Sequence, residues 1–116
     1  MIDGAHAVTD AKNLAAYLKT IKLPKYGIWA MTKNKEPDLF IKQLKGLFKK
    51  VVTMPIENES NSVSANELYK IAIKNNFKAE KSNNFTQGLK KISNKEKKLI
   101  VCFGSLYNCG NILNKN

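Results

Sequence analysis

The sequence alternates between short apolar runs of strand length and longer stretches whose apolar residues recur with helical spacing. The clearest runs cover residues 26–31, 51–54 and 99–103. Strands that are separated by helices cannot pair as hairpins, so they form a mostly parallel sheet that helices cover on both faces. We therefore predict an α/β fold for residues 1–116, a single Rossmann-like domain of three layers.

The two ends of the chain extend this pattern. Residues 1–2 resemble the tail of a strand, and Ala11, Leu14, Ala15 and Leu18 predict a helix from residue 9 or 10 to about residue 21. At the other end, the dipeptide 104–105 is expected to open a last helix that directs residues 106, 109 and 112 inward. The full prediction is five strands that alternate with five helices.

Local signals place the ends of the internal helices. Pro37 suits the first turn of a helix, because a proline there loses no intrahelical hydrogen bond. Ser64 and Glu67 have the spacing of a capping box, in which each side chain bonds a backbone N–H at the helix start. Asn75 and Asn76 are suited to the left-handed turn that ends the same helix. Residues 85–92 predict one more helix.

The chain is strongly basic, with a formal net charge of +11, and all twenty of its basic residues are lysines. Arginine is the usual bidentate reader of guanine and phosphate, so its absence argues against a specific nucleic-acid binder. Lys12, Lys42, Lys70 and Lys90 lie on four different predicted helices, which indicates a dispersed, solvated surface. A basic nucleic-acid-associated domain remains the weaker alternative.

Ligands in open parallel sheets bind beyond the carboxyl ends of the strands, so four predicted loops are candidates: 3–9, 32–36, 57–63 and 104–105. In the first loop, Asp3 and His6 follow a strand and Gly4 permits close approach of a ligand; simple capping of the turn is the alternative. Ser105 opens a predicted helix that could receive an anion, with a plain helix cap as the alternative. We expect these loops to share one edge of the sheet.

Several site classes are excluded. The sequence contains neither a phosphate-binding G-x-x-x-x-G-K-[ST] loop nor a G-x-G-x-x-G motif. Its two cysteines, Cys102 and Cys109, and its single histidine do not have zinc-ligand spacing, so we predict core thiols and no metal site. Trp29 is expected in the core. No apolar stretch is long enough to span a membrane, and the low cysteine content favours a cytoplasmic location.

Five segments of the sequence carry recognisable motifs: residues 1–6, which read MIDGAH, residues 13–18, 29–36 and 64–68, and residues 101–107, which read VCFGSLY. Together they resemble the C-terminal domain of folylpolyglutamate and dihydrofolate synthases, which belong to the Mur ligase superfamily. The first segment is similar to the strand and DGAHN motif that begins this domain, the next three to its following segments, and the last to its closing GSLY segment. The order and spacing of the five segments match along essentially the whole chain.

The resemblance implies part of an ATP- and Mg²⁺-dependent ligase that activates a folate or pteroate carboxylate as an acyl phosphate, which the amine of glutamate then attacks. It implies that Asp3 and His6 face ATP, which a separate central domain holds. Lys35 and Glu36 occupy the place of a family loop that usually carries an aspartate. Ala7 replaces the family's asparagine after the histidine, and the arginine often found before the segment matched by residues 64–68 is absent.

We therefore expect an ATPase domain, or a separate chain carrying it, as the partner, with folate and glutamate as substrates and with neither a membrane nor a specific nucleic acid. Residues 1–2 correspond to only the end of the family's first strand, so that strand is expected to be truncated. The isolated chain is expected to be inactive and to hold no tightly bound cofactor. A non-enzymatic remnant or binding module is the alternative.

Overall fold

The structure is a computed structural model that describes the backbone of residues 4–104 and 111–114. It describes the side chains of residues 8–104. Helices and parallel strands alternate along most of the chain, as the sequence predicts. In chain order the elements are α1 (Gly4–Leu18), β1 (Lys25–Ala30), a 3-10 turn (Lys33–Lys35), α2 (Pro37–Lys42), β2 (Lys50–Thr53), α3 (Ala65–Lys74), β3 (Ala79–Lys81), α4 (Phe85–Ile92), β4 (Lys98–Gly104) and β5 (Asn111–Asn114).

The strands form one sheet in the order β3-β2-β1-β4-β5. β1 pairs in parallel with β2 and with β4, and β2 pairs in parallel with β3. β5 pairs antiparallel with β4, with Ile112 opposite Ile100. The mostly parallel sheet is therefore confirmed.

The prediction that Ile112 belongs to a last helix is wrong. Residues 111–114 gain a ladder of backbone hydrogen bonds from the edge of β4, and these bonds outweigh the helical spacing of a few apolar residues. The remainder of that predicted helix, residues 105–110, lies outside the described residues.

Each face of the sheet carries its own apolar core, because successive side chains of a strand point to opposite faces. One core joins Trp29, Val51, Val101 and Phe103 of the sheet to apolar residues of α1, α2 and α3. The other joins strand residues such as Ile28 and Val52 to Ile92, Phe85 and Leu89 of α4. Three layers, helix, sheet and helix, result, as predicted.

An aromatic stack fills the larger core around Phe103. Its ring centroid lies 5.2 Å from that of Phe48, 6.1 Å from that of Phe40 and 6.3 Å from that of Trp29. Gly27 on the neighbouring strand leaves room for this ring, because a Cβ there would lie 2.5 Å from Phe103 Cε1. Trp29 is completely buried, which confirms it as a core residue, and Cys102 is buried in the other core.

The predicted helix boundaries hold at several positions. Ser64 caps α3, since its side chain accepts a hydrogen bond of 3.1 Å from the backbone N–H of Glu67. Pro37 occupies the first turn of α2. After α3, Asn76 adopts a left-handed conformation with φ of 68°. The short strand β3 begins at Ala79, three residues after Asn76.

The first helix begins earlier than predicted. α1 starts at Gly4, so Thr9 and Asp10 lie within the helix and do not cap it. The alanines at positions 5 and 7 are strong helix formers, and no proline interrupts the segment, so helix extends through the predicted loop. The strand predicted at residues 1–2 lies outside the described residues.

Candidate functional site

The carboxyl ends of β1 and β4 mark the point where the order of the parallel strands reverses. Chain order runs outward from β1 to β2 and β3 on one side, and β4 returns to the other side of β1. The crevice outside the strand ends at such a point is the usual ligand site of open α/β sheets. The residues placed there are the segment 31–36 after β1 and Gly104 at the end of β4.

Gly104 brings two backbones unusually close at this edge. It pairs with Ala30 in the parallel register and has φ of +93°. A Cβ at this position would lie 2.1 Å from the Ala30 carbonyl oxygen and 3.0 Å from Trp29 Cδ1. The sequence predicted that Gly104 opens a helix. This prediction is wrong, because Gly104 is the last residue of β4.

Backbone contacts tie the segment after β1 to the loop after β2. The N–H of Lys33 donates to the Asn61 carbonyl over 2.9 Å, and the N–H of Val63 donates to the Met31 carbonyl over 2.9 Å. Thr32 and Ser62 form an isolated antiparallel bridge between these contacts. The two loops therefore form one continuous rim next to Gly104.

Side chains fix the geometry of this rim. Ser62 Oγ accepts a hydrogen bond of 2.9 Å from the N–H of Ile56 and donates to the Val63 carbonyl over 3.0 Å. Thr32 Oγ1 donates to Asn34 Oδ1 over 2.7 Å. Sequence reasoning missed the pairing of these loops, because the contact links residues about thirty positions apart and has no local signal.

The two candidate residues of the segment after β1 differ in exposure. Lys35 is buried, with 6% of its surface exposed, in the short 3-10 turn. Glu36 is exposed and adopts a left-handed conformation with φ of 52°, immediately before Pro37 opens α2. This places the Glu36 carboxylate on the solvent side of the rim.

The amino end of α1 lies at the same edge. The carboxyl end of α1 leads directly into the start of β1, and α1 also contacts the Lys33–Lys35 turn beyond the end of β1. The backbone of Gly4 and His6 belongs to the first turn of this helix. The prediction that these two residues lie in a loop is therefore wrong. Their side chains, and the candidates Asp3 and Ser105, lie outside the described part of the structure.

One buried polar group at this edge has no acceptor among the described residues. The indole Nε1 of Trp29, on the penultimate residue of β1, is inaccessible to solvent and forms no hydrogen bond there. Buried donors are almost always paired, so this N–H is a position where an acceptor is expected. Nothing in the sequence predicts it, because the pattern indicates only that Trp29 is buried.

The clearest pKa shifts of the described groups lie at the opposite edge of the sheet. Hydrogen bonds from Lys42 and Asn75 lower the pKa of Asp38, and those from Lys49 and Tyr26 lower the pKa of Glu96. Burial lowers the pKa of Lys98, whose Nζ donates to the Ile92 carbonyl over 2.9 Å. These shifts arise from ion pairing and burial: Glu96 and Lys98 lie beside the start of β4, and Asp38 is bonded by Lys42 at the end of α2 and by Asn75 at the end of α3.

The described residues offer neither a metal-binding cluster nor a membrane-spanning helix. Within residues 4–104 and 111–114, no group of three histidine, cysteine, aspartate or glutamate side chains is placed to hold a metal ion. In the same residues, no helix is both long and apolar enough to cross a membrane.

Comparison with known proteins identifies the relatives of this fold. The family model described as dihydrofolate synthetase, C-terminal domain, matches residues 1–115. Comparison with curated protein sequences found no match.

Among solved structures, Escherichia coli FolC in complex with ADP, without folate substrate, is similar with a TM-score of 0.68 and 16% identity over 82% of this chain. Mycobacterium tuberculosis folylpolyglutamate synthase complexed with ADP is similar with a TM-score of 0.61 and 16% identity over 78% of this chain. The matches cover 23% and 20% of those two chains. At this identity the solved structures establish the fold, and the family model establishes the lineage: the chain belongs to the dihydrofolate synthetase C-terminal domain family.

Proposed function

We propose that this chain is the C-terminal domain of an ATP-dependent ligase of the folylpolyglutamate or dihydrofolate synthase type, and that it closes over a nucleotide held by an ATPase domain. The observation that carries the proposal is the family match over residues 1–115. The two similar solved structures, each with ADP bound, support nucleotide use by the complete enzyme.

In the proposed reaction, a folate or pteroate carboxylate attacks the γ-phosphate of ATP, forming an acyl phosphate and releasing ADP. The amine of glutamate then attacks the acyl carbon, an amide bond forms, and inorganic phosphate leaves. Catalysis of this kind rests on positioning and electrostatic stabilisation of phosphate charge. Mg²⁺ bound with the nucleotide would neutralise that charge, and the described residues of this chain supply no cluster of ligands for it.

The edge formed by the ends of β1 and β4 is the surface that would meet the nucleotide. The amino end of α1, with Asp3 and His6, and the rim with Lys35 and Glu36 surround it in this proposal. Gly104 keeps the strand ends in close contact, so that no side chain separates β1 from β4. Ser105 would follow directly on the same edge.

We propose that the chain is inactive alone, because it has no phosphate-binding loop. Nucleotide without the ATPase domain is then expected to bind with about millimolar affinity, since a few polar contacts barely offset the entropy of association.

The test combines the purified chain with the ATPase domain of a related ligase and measures glutamate-dependent phosphate release. We expect release in the mixture only, and we expect Asp3→Ala or His6→Ala to abolish it. Asp10→Ala is the matched control, because Asp10 is an exposed carboxylate within the same helix α1. Release by the chain alone would refute the proposed division of labour.

The same experiment addresses the alternative of a non-enzymatic remnant or binding module. The departures at Ala7 and in the segment 33–36 are the observations that favour that alternative. Association of the two parts without any phosphate release would support it. Full activity of Asp3→Ala would instead retain the ligase and remove Asp3 from its nucleotide contacts.

A further inference from the structure

The lysines are dispersed along the sequence but not in the fold. Each helix that precedes a parallel strand ends near the start of that strand, so lysines from helix ends and strand starts meet at one edge of the sheet. Backbone hydrogen bonds show the convergence: the N–H of Lys49 donates to the Lys25 carbonyl over 2.7 Å, and that of Val51 donates to the Lys78 carbonyl over 2.8 Å.

We call this region the basic end. Its members are the lysines of the helix ends, the connections that follow them and the strand starts, namely Lys19, Lys22, Lys25, Lys42, Lys45, Lys49, Lys50, Lys74, Lys78, Lys90, Lys91, Lys95, Lys97 and Lys98. Against these fourteen lysines stand three carboxylates, Asp38, Glu80 and Glu96, which leaves a formal charge of +11. Elsewhere in the described residues, five lysines face five carboxylates. Among the residues that the structure describes, the net positive charge therefore lies at this end.

The three carboxylates of the basic end are already engaged. Glu96 accepts hydrogen bonds of 2.9 Å from Lys49 and 2.8 Å from the Tyr26 hydroxyl. Glu80 pairs with Lys50 and, over 3.6 Å, with Lys91. Asp38 pairs with Lys42 over 2.7 Å. These pairs use few of the lysines.

Seven exposed lysines of the basic end form no ion pair with a described carboxylate: Lys19, Lys22, Lys45, Lys78, Lys90, Lys95 and Lys97. One lysine in the last turn of each helix stabilises the helix dipole. Further lysines at the same end repel one another, and that repulsion is relieved when a polyanion replaces the counterions.

The apolar residues of this end argue for a partner recognised by charge alone. Three large hydrophobic side chains of the described residues are exposed: Tyr17 on α1, Leu39 on α2 and Ile73 on α3, at 51%, 45% and 46%. Each of these three helices therefore contributes one exposed apolar side chain. A surface that inserts into a lipid bilayer uses a large apolar face of one helix beside its basic residues.

We infer that the basic end docks the phosphate backbone of nucleic acid without sequence preference. Lysine supplies point charges that suit phosphates, and the absence of arginine removes the usual bidentate contacts to guanine. The molecule measures 36 × 29 × 27 Å, so one end spans many phosphates of a duplex, whose charges are about 1.7 Å apart. This end is opposite the candidate nucleotide edge, so both can be occupied together.

The test measures fluorescence anisotropy of a labelled 20-base-pair DNA duplex of arbitrary sequence between about 50 and 200 mM KCl, a range over which phosphate contacts dominate the salt dependence. The triple variant Lys45→Gln, Lys78→Gln and Lys97→Gln removes three charges from the basic end. The triple variant Lys12→Gln, Lys33→Gln and Lys70→Gln removes three exposed charges elsewhere and is the matched control.

The basic-end variant is expected to reduce the slope of log affinity against log salt by about 2.7, or 0.9 for each lost phosphate contact. The control variant is expected to leave the slope nearly unchanged. Equal losses in the two variants would overturn the inference, because net charge alone would then explain the binding. Binding to vesicles of anionic lipid but not to the duplex would overturn it as well, as would the absence of salt-dependent binding.

Discussion

Gly104 gives the sharpest test of the edge where β1 and β4 end. Gly104→Ala places a methyl group on a residue with φ of +93°, 2.1 Å from the Ala30 carbonyl oxygen. The left-handed conformation costs an alanine about 1–2 kcal/mol. The clash adds about 1–3 kcal/mol, because Ala30 lies in the central strand and cannot move without disturbing its pairing with both neighbours. The expected loss of unfolding free energy is about 2–5 kcal/mol.

The assay is urea denaturation followed by tryptophan fluorescence. Trp29 is the single tryptophan, it is buried, and its Cδ1 lies 3.0 Å from the position of the added methyl group, so its emission reports on this edge. A domain of this size loses roughly 1–3 kcal/mol of stability per molar urea. At the middle of that range, about 2 kcal/mol per molar, the midpoint of Gly104→Ala is expected to fall by about 1–2.5 M.

Gly46→Ala is the matched control, because Gly46 has φ of +82° but nothing within 4 Å of the added Cβ. It carries the conformational cost without the clash, so its loss is expected to stay near 1–2 kcal/mol. A loss in Gly104→Ala no larger than the loss in Gly46→Ala would refute this prediction, since contact with the Ala30 carbonyl would then contribute nothing.

Three further substitutions probe other parts of the fold. Gly88→Ala should stabilise the protein by about 0.5–1 kcal/mol, because alanine is the better helix former and its methyl group would make ordinary contacts of 3.4–3.7 Å with Ser82, Val52 and Ile28; a lower melting temperature would contradict this. Ser64→Ala should cost about 1 kcal/mol by removing the cap of α3, with unchanged stability in urea as the contrary result. Asp38 has a lowered pKa, so its stabilising effect should be lost as pH falls through its ordinary value of 3.8 towards the folded-state pKa. In Asp38→Asn, the free energy of unfolding measured against pH should lack that decrease. A curve identical to that of the unmodified protein would show that the pairing of Asp38 with Lys42 does not stabilise the fold.

Local physical chemistry made much of the fold predictable. Apolar runs at 26–31, 51–54 and 99–103 become β1, β2 and β4, because residues buried on both faces of a parallel sheet leave a nearly continuous hydrophobic segment. Ser64 marks the start of α3, because its side chain accepts a hydrogen bond from the backbone N–H of Glu67, three residues later. Such signals need no information from distant parts of the chain.

The last segment and the candidate site show where local signals stop. Residues 111–114 form a strand only because β4 offers an unpaired edge, and that edge exists only in the assembled sheet. The rim beside Gly104 depends on contacts between residues 31–33 and 61–63. These contacts form only when a loop of about thirty residues closes, so no short sequence motif predicts them. The sequence motif at Asp3 and His6 predicted a loop, whereas the backbone of Gly4 and His6 is helical.

The sequence by itself determined the alternating α/β architecture, the family resemblance and the size of the positive charge, because these depend on residue order and composition. Only the tertiary structure decided where that charge lies. Parallel topology gathers the ends of successive helices at one edge of the sheet, so lysines scattered through the sequence become one basic end. The tertiary structure also decided that Lys98 is fully buried. Its Nζ donates hydrogen bonds to the carbonyls of Ile92 and Asn94 at the carboxyl end of α4. A buried cation is tolerated only where such partners are in reach, and the fold alone brings them there.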